Sequence, residues 1–460
     1  MTRYIFILTI LFSLTILLAD GVQPFGSGTD TDPYQIETLD NLLWVSTNNT
    51  SWDKHFIQTT DFSASETINW NNGAGFSPIG SIETPFTGSY DGQSLAVIGL
   101  YINNPEEFNM GMFGKILDST IQNVQMFSTV VTGNFNAGGL VAHAYNSVLN
   151  NCFVESDVVG GTNVGGLVGI AEGSSLSYLR SISNVTAEEF LGSLIGQCYQ
   201  TSMDNCSSFG TVEGIGNLGG LAGLIFDSEV NNCFSYANVD AFMSAGGFAG
   251  VIMNGAVIDK CYSIGSVVNG VADIGGLIGM NINANTYNSF WDTDTSGLIQ
   301  SDGGVGKTTA QMQETNTYTD VSTIGLDEAW DFVGNPFDDV GDEDHWNIFD
   351  QYPLLTPINN VSSFDEDISD LNEHVLLRNY PNPFNPSTTI SFNISGEDAK
   401  DLNIVIYNTK GQKVETLPVI LSGIEGTVGW NARKHASGIY FYQLVSRGKA
   451  LDTKQMLLIK

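Results

Sequence analysis

Residues Gly303-Gly304-Val305-Gly306-Lys307-Thr308 come closest to a reactive motif. A phosphate loop needs the pattern G-x-x-x-x-G-K-[ST], in which backbone amides cradle the phosphates and the lysine neutralises them. Here Ser301 stands where the first glycine belongs, and the sequence shows no buried strand feeding a helix, so nucleotide binding is not expected. Asp292-Thr293-Asp294-Thr295-Ser296-Gly297 has the opening of a calcium loop, but its twelfth position, which should supply a bidentate glutamate, is Gly303. The acidic run Asp338, Asp339, Asp342, Glu343 and Asp344 is a rival calcium candidate, and a solvated loop is the preferred reading of both stretches. Five histidines, at 55, 143, 345, 374 and 435, are scattered, with no H-E-x-x-H for zinc and no G-x-S-x-G elbow for a serine nucleophile. Glycoside hydrolysis needs two carboxylates, ~5 or ~6.5–9.5 Å apart. Glu188 with Glu189, or Glu155 with Asp157, supply such residues without rising above background. No residue is therefore assigned as catalytic, cofactor-binding or metal-ligating, and calcium is the one cofactor the residues suggest.

The element that must position any site is a repeat. Gly138-Gly139-Leu140-Val141 returns as Gly165-Gly166-Leu167-Val168, Gly192-Ser193-Leu194-Ile195, Gly219-Gly220-Leu221-Ala222, Gly246-Gly247-Phe248-Ala249 and Gly275-Gly276-Leu277-Ile278, at spacings of 27, 27, 27, 27 and 29. Gly111-Met112-Phe113-Gly114 falls in the same register one period earlier. A period of this size means stacked units, each too small to bury a core alone. Three apolar columns run beside the glycines: Leu149, Leu176, Met203, Val230, Ile258; then Cys152, Leu179, Cys206, Cys233, Cys261; then Val158, Val185, Val212, Val239, Val267. Each unit is a set of short apolar segments bounded by turn residues, with no helical period. The fold class expected is all-β: a parallel, right-handed β-helix of 27-residue coils, followed by a small immunoglobulin-like β-sandwich. A sharp corner often needs φ > 0, which glycine supplies, and the second glycine is expected to let neighbouring coils approach. The two extra residues of the last repeat fall in separate polar turns, one between Cys233 and Cys261 and one between Cys261 and Gly275, so the columns should stay aligned.

The Gly-Gly-Leu-Val-Gly signature at this period resembles the GLUG repeat of bacterial surface proteins. It stands in full form at residues 165–169 and as Gly-Gly-Leu-Ile-Gly at 275–279. The resemblance covers roughly residues 110–290. It implies a surface-exposed β-helix, found in adhesins or beside a peptidase domain, with no chemistry of its own.

Residues 1–19 have the form of a secretory signal peptide: Arg3, an apolar run over 4–18, and Ala19 before the cut. The run is about 15 residues, short of the ~20 that span a bilayer. Fifty acidic residues against 16 basic ones give a formal charge of −34, which repels nucleic acid and anionic lipid. Between 111 and 280 the basic residues are Lys115, Arg180 and Lys260; they share no column, which argues against a lyase that neutralises uronates. Of five cysteines, four occupy one column that also accepts Leu179, so they are read as packed free thiols. A disulfide between adjacent coils, Cys206–Cys233 or Cys233–Cys261, is allowed by the ~4.8 Å strand spacing but disfavoured by parallel side chains.

Residues 20–110 are expected to form an N-terminal capping part of the β-helix, with a short helix over 39–45 and strands at 56–59, 68–70 and 96–101. The GLUG-repeat β-helix proper is placed at 111–282. Residues 283–358 form its C-terminal cap, with a brief helix at 308–313. There Trp330, Phe332, Trp346, Ile348 and Tyr352 act as plugs over the last coil. Residues 359–375 read as an acidic linker. Residues 376–460 hold alternating strands at 388–394, 402–407, 413–417, 426–430, 438–445 and 454–459, with a hairpin turn at 408–411. Tyr380-Pro381-Asn382-Pro383-Phe384-Asn385-Pro386, then Ile406-Tyr407-Asn408 before Lys410-Gly411, Ser437-Gly438-Ile439-Tyr440-Phe441 and the apolar, basic end 454–460 resemble the type A C-terminal sorting domain of type IX secretion. That resemblance implies partnership with the secretion machinery, passage across an outer membrane, and release or surface attachment. The sequence thus points to a secreted or cell-surface protein without catalytic function, whose long regular face binds an extracellular glycan or protein. A β-helix carbohydrate-active enzyme and a structural spacer are the alternatives.

Overall fold

The structure is a computed structural model, and it describes residues 21–333, 345–348 and 352–356. In the C-terminal unit it describes 374–380, 386–394, 402–408, 412–419, 425–435, 438–446 and 449–458. The expected signal peptide, the acidic run 338–344, most of the linker and the residues 381–385 lie outside these. The chain divides into two compact units, 1–356 and 357–460.

The first unit is a parallel β-solenoid whose coils stack into three sheets. One has ten strands, one strand per coil from Tyr34–Ile36 to Asn285–Tyr287. A second has seven, from Phe113–Leu117 to Ile278–Ile282. The third is a composite of eighteen, in which two coils contribute single 13-residue strands, Arg180–Gly192 and Ser207–Gly219. The columns read from the sequence are the observed registers. Leu149 pairs with Leu176, Leu176 with Met203, Met203 with Val230 and Val230 with Ile258. Val158, Val185, Val212, Val239 and Val267 pair likewise. Each column is buried, so like side chains stack in one continuous core. The two extra residues are absorbed at Asn254-Gly255 and between Val268 and Asp273, without loss of register.

The corners correct the glycine argument. Gly138, Gly139, Gly165, Gly166, Gly219 and Gly220 do not have left-handed φ. They are small because neighbouring backbone touches them: a Cβ at Gly165 would lie 1.9 Å from the Val168 carbonyl oxygen, and one at Gly139 2.6 Å from that of Gly166. Buried serines use the same space, Ser208 Oγ donating to the Gly220 carbonyl and Ser263 Oγ to that of Gly276. Ser193, in the glycine column, is housed by donating to the Phe209 carbonyl at 2.5 Å. Most left-handed corners fall instead to asparagine, which tolerates φ > 0. One column holds Asn123, Asn151, Asn205, Asn232 and Asn288, with Tyr178 and Lys260 in the other two coils. A second holds Asn109, Asn136, Asn163 and Asn217, with Phe190 in the coil between the last two. Their amides form ladders: Asn136 donates to Asn109, Asn163 to Asn136 and Asn151 to Asn123. Replacing Asn151 by Ala forces a Cβ-bearing residue without that bond to hold φ 52°. The expected loss is about 1–2 kcal/mol in chemical denaturation, with Asn151→Gly milder than Asn151→Ala.

The N-terminal coils are less regular but belong to the same sheets. The helix runs Leu39–Thr47, capped by Thr38, and buries Leu42 and Val45 beside the first coil. A further strand, Ser89–Asp91, joins the ten-stranded sheet. Two expectations here need correction. Residues 68–70 are not a strand, because Ser65–Asn69 forms a 3-10 helix closed by the Thr67 hydroxyl on the Ala64 carbonyl. The segment at 96–101 is split by Gly99, at φ 78°, into Ala96–Ile98 and Tyr101–Asn103.

At the other end the aromatic residues do not plug the last coil. They form a strap along the side of the solenoid. Trp330 donates to the Asn288 carbonyl, Trp346 to the Asn232 side chain, and His345 Nδ1 lies 3.0 Å from Asn205 Oδ1. The strap thus follows one column of corner asparagines. Its rings pack on Phe234, Tyr262 and Phe290, successive residues of one outward column, and Tyr262 donates to the Pro353 carbonyl. These aromatics are apolar area facing outwards, so covering them from the side removes it from water.

The second unit has two antiparallel sheets, of three strands (His374–Tyr380, Ser387–Ile394, Glu425–Asn431) and four (Lys413–Pro418, Leu402–Asn408, Gly438–Ser446, Lys449–Leu458). Ile390, Val428 and Trp430 from the first share one core with Ile404, Tyr442, Leu444 and Met456 from the second. The strand His374–Tyr380 begins inside the segment expected to be linker, and Lys449–Leu458 starts five residues before its expected position.

Candidate functional site

The phosphate-loop look-alike is built otherwise than a nucleotide site. Contrary to expectation a strand does precede a helix here, Val305–Lys307 before Thr309–Met312, but the lysine lies in the strand. That strand pairs in parallel with Phe290–Asp292 and so adds part of a further coil. Lys307 Nζ donates to the Ile324 carbonyl at 2.9 Å and sits 5.1 Å from the Phe290 ring centre. Burial lowers its pKa from the usual lysine range. The ammonium is committed inside the fold.

The calcium-loop look-alike is a helix cap. Asp292 is fully buried; its Oδ1 accepts from the Asp294 and Thr295 amides, and its Oδ2 from the hydroxyls of Thr309 at 2.7 Å and Tyr352 at 2.5 Å. Asp294 accepts from the Thr309 amide. These donors occupy the oxygens a cation would need. Among the described residues no group of three His, Cys, Asp or Glu side chains is placed to hold a metal.

The carboxylate pairs lie on open strands. Asp157 accepts from the Asn184 amide and Glu189 from that of Asn217, so each is tied to the neighbouring coil. Lys115 is on the seven-stranded face, Arg180 on the composite face between the Phe153 and Phe209 rings, and Lys260 at a corner paired with Glu328. No basic cluster faces a carboxylate pair among the described residues. All five cysteines are buried and free. In their column the Cys206 amide donates to Cys233 Sγ at 3.3 Å. Burial pushes the Cys152 thiol up to about 12 and the Cys206 and Cys233 thiols well above their ordinary value. Thiolate, not thiol, is the reactive form. An aromatic disulfide reagent at pH 8 should therefore leave the native protein unlabelled and modify all 5 cysteines once it is unfolded.

The concavity that does emerge is a shallow groove of about 470 Å³ at the corner between the seven- and ten-stranded sheets. It crosses four successive coils, each supplying the same three positions: Asn146-Ser147-Val148, Gly173-Ser174-Ser175, Gln200-Thr201-Ser202 and Asp227-Ser228-Glu229. The first position of each coil turns left-handed, at φ 47°, 59°, 47° and 46°. The second is a buried hydroxyl with a structural duty. Ser147 Oγ donates to the Tyr145 carbonyl and accepts from the Ser119 amide; Ser174, Thr201 and Ser228 repeat the arrangement. The side chains left to face a solute are those of the first and third positions. Gln200 and Asp227 are already linked, Nε2 to Oδ2 at 3.1 Å.

One residue before each corner stands an outward column, Tyr145, Glu172, Tyr199 and Phe226. Tyr145 and Tyr199 are 39% and 37% exposed, with Glu172 on the coil between them, so a mixed column of rings and one carboxylate runs beside the polar floor. The Tyr199 and Phe226 rings stack at 4.3 Å and 6°. Behind this column His143 Nε2 lies 3.0 Å from Glu172 Oε1. Burial, and then the neighbouring Lys115 charge, lowers the imidazole's pKa; Glu172 partly offsets this. Sequence reading missed the groove, because its members are ordinary turn residues. The signal was present in the hydroxyls at 147, 174, 201 and 228, spaced at the repeat period.

The fold and the C-terminal unit together define a class: a parallel β-solenoid that carries an export domain. Residues 378–460 match the family model described as the secretion system C-terminal sorting domain. As a type IX sorting domain it marks the chain for export and attachment at the outer-membrane surface. No helix among the described residues is long and apolar enough to cross a membrane. An alignment 132 positions long, covering 27% of this chain, is 35% identical to halomucin of Haloquadratum walsbyi and spans 1% of that protein. A solved chain named IgA1 Protease aligns over 92% of this chain and 34% of its own length, at 14% identity and a TM-score of 0.43.

Proposed function

We propose that this is a non-enzymatic surface protein of adhesin type. Its solenoid binds an extracellular glycan or protein, and its domain at 376–460 engages the type IX machinery and anchors the chain. The observation that carries this reading is the groove. It is a polar, open surface repeated coil after coil, and among its described lining residues no histidine, lysine or arginine stands beside Asp227 or Glu229 to complete an acid–base pair. The pentapeptides at 165–169 and 275–279 support assigning the coils to GLUG repeats. Two antiparallel sheets on one core support an immunoglobulin-like sandwich. The acidic surface suits solubility outside the cell.

The test is binding of the full mature chain to glycan and extracellular-matrix protein arrays, with calcium and with chelator. Selective capture without product is the expected result. Loss of capture in chelator would return calcium to the acidic stretches. Shortened glycans in the supernatant would favour a carbohydrate-active enzyme, and silence on both arrays would favour a spacer.

A further inference from the structure

Resting on the reading of the solenoid as a binding platform, we infer that the groove at the 146–229 corner is an oligosaccharide site. Its ligand is a linear chain of neutral sugars lying along the solenoid axis, about one sugar to a coil. The shape sets the direction. The four corner residues Asn146, Gly173, Gln200 and Asp227 follow one another at the strand spacing of ~4.8 Å, so the groove is long in the axial direction and narrow across it. That step is close to the advance of one hexose in an extended chain.

The lining sets the chemistry. Amide, carboxylate and hydroxyl groups at Asn146, Gln200, Asp227, Ser175 and Ser202 offer both donors and acceptors, which is what vicinal hydroxyls need. Tyr145 and Tyr199, two coils apart in the adjoining outward column, meet the C–H edges of the sugars on their own coils. Asp227, Glu229 and the nearby Glu172 bring negative charge and no lysine or arginine lines the groove, so uronates and sulfated sugars are disfavoured. An extended peptide is the other long, hydrogen-bonding ligand, and it docks by adding a strand to a free edge. There is no such edge here. The corner amides of Asn146, Gly173, Gln200 and Asp227 already donate to the Glu172, Tyr199, Phe226 and Met253 carbonyls of the next coil.

The test is calorimetric titration of the full mature chain with neutral gluco-, manno- and galacto-oligosaccharides of increasing length, against uronate and sulfated oligomers. At least one neutral series should bind, gaining affinity with each added sugar until the groove is filled at about four units. Tyr199→Ala, Gln200→Gly (which keeps the left-handed corner) and the blocking change Ser202→Trp should each weaken binding about tenfold or more, with unchanged thermal unfolding. Tyr287→Ala, exposed on the ten-stranded face outside the groove, should bind as the parent does. Equal affinity in the groove variants would overturn the inference and leave the platform reading standing. So would preference for anionic sugars, or capture of proteins alone. Silence toward sugars and proteins alike would overturn both.

Discussion

A chain ending before residue 374 is expected to be missing from the cell surface. It should accumulate in the periplasm, with near-complete loss of surface signal by protease shaving of intact cells and by fractionation. The reason lies in the independence of the two units. The sorting domain has its own core, in which Ile390 and Trp430 of one sheet meet Ile404, Tyr442 and Leu444 of the other, all buried. The solenoid has a separate core running through its coils. Removing the first should therefore leave the second folded but without its export signal. Trp430→Ala makes the same point without truncation. Its indole is buried and donates to Glu415 at 2.9 Å, so its loss costs about 3–5 kcal/mol to a small domain. Export should fail in proportion to the unfolded fraction. Surface exposure of the truncated chain at the parental level would show that the signal lies elsewhere.

Gly219→Ala should destabilise the solenoid by about 3 kcal/mol or more, although it adds a single methyl group. A Cβ there would stand 2.0 Å from the Ala222 carbonyl oxygen, 2.7 Å from the Ala249 Cα and 2.7 Å from the Gly250 nitrogen. All three are backbone atoms, one from the same turn and two from the next coil, so relief requires coils to separate and their ladder to lengthen. Gly216→Ala is the matched control. It lies three residues earlier in the same strand, with no atom within 4 Å of its Cβ and no left-handed φ. That change should stay within about 0.5 kcal/mol. Denaturant unfolding of the two variants measures the difference. Similar stability in both would mean that the glycine column is not set by the approach of coils.

Much of the solenoid was legible because a repeat reports its own register. When Leu149, Leu176, Met203, Val230 and Ile258 recur at one period, parallel stacking is the arrangement that buries them together, and the ladder follows. The same logic identified the cysteine column as core, since Leu179 shares it. What failed was inference from residue type to role. Glycine suggested φ > 0, yet most left-handed corners went to asparagines such as Asn123, Asn151, Asn205 and Asn232, and the glycines marked close backbone contact. Both roles exclude a side chain, one through backbone torsion and the other through space, and spacing cannot tell them apart. Residues 68–70 were misread as a strand for a related reason. Apolar and aromatic residues favour strands when extended, but the Thr67 hydroxyl on the Ala64 carbonyl closes a turn there.

By itself the sequence determined the period, the three core columns, the division into solenoid and export domain, and the absence of a familiar catalytic motif. These are local or repeated properties, carried by residue type and spacing. Only the tertiary structure decided which surface is concave, because the groove arises where four corners align and no single corner makes it. It likewise decided that Trp330 and Trp346 lie along the side of the coils, for their partners Asn288 and Asn232 sit 42 and 114 residues away in the chain. Contacts over such separations depend on how the coils stack in three dimensions, and that information does not reside in any local stretch.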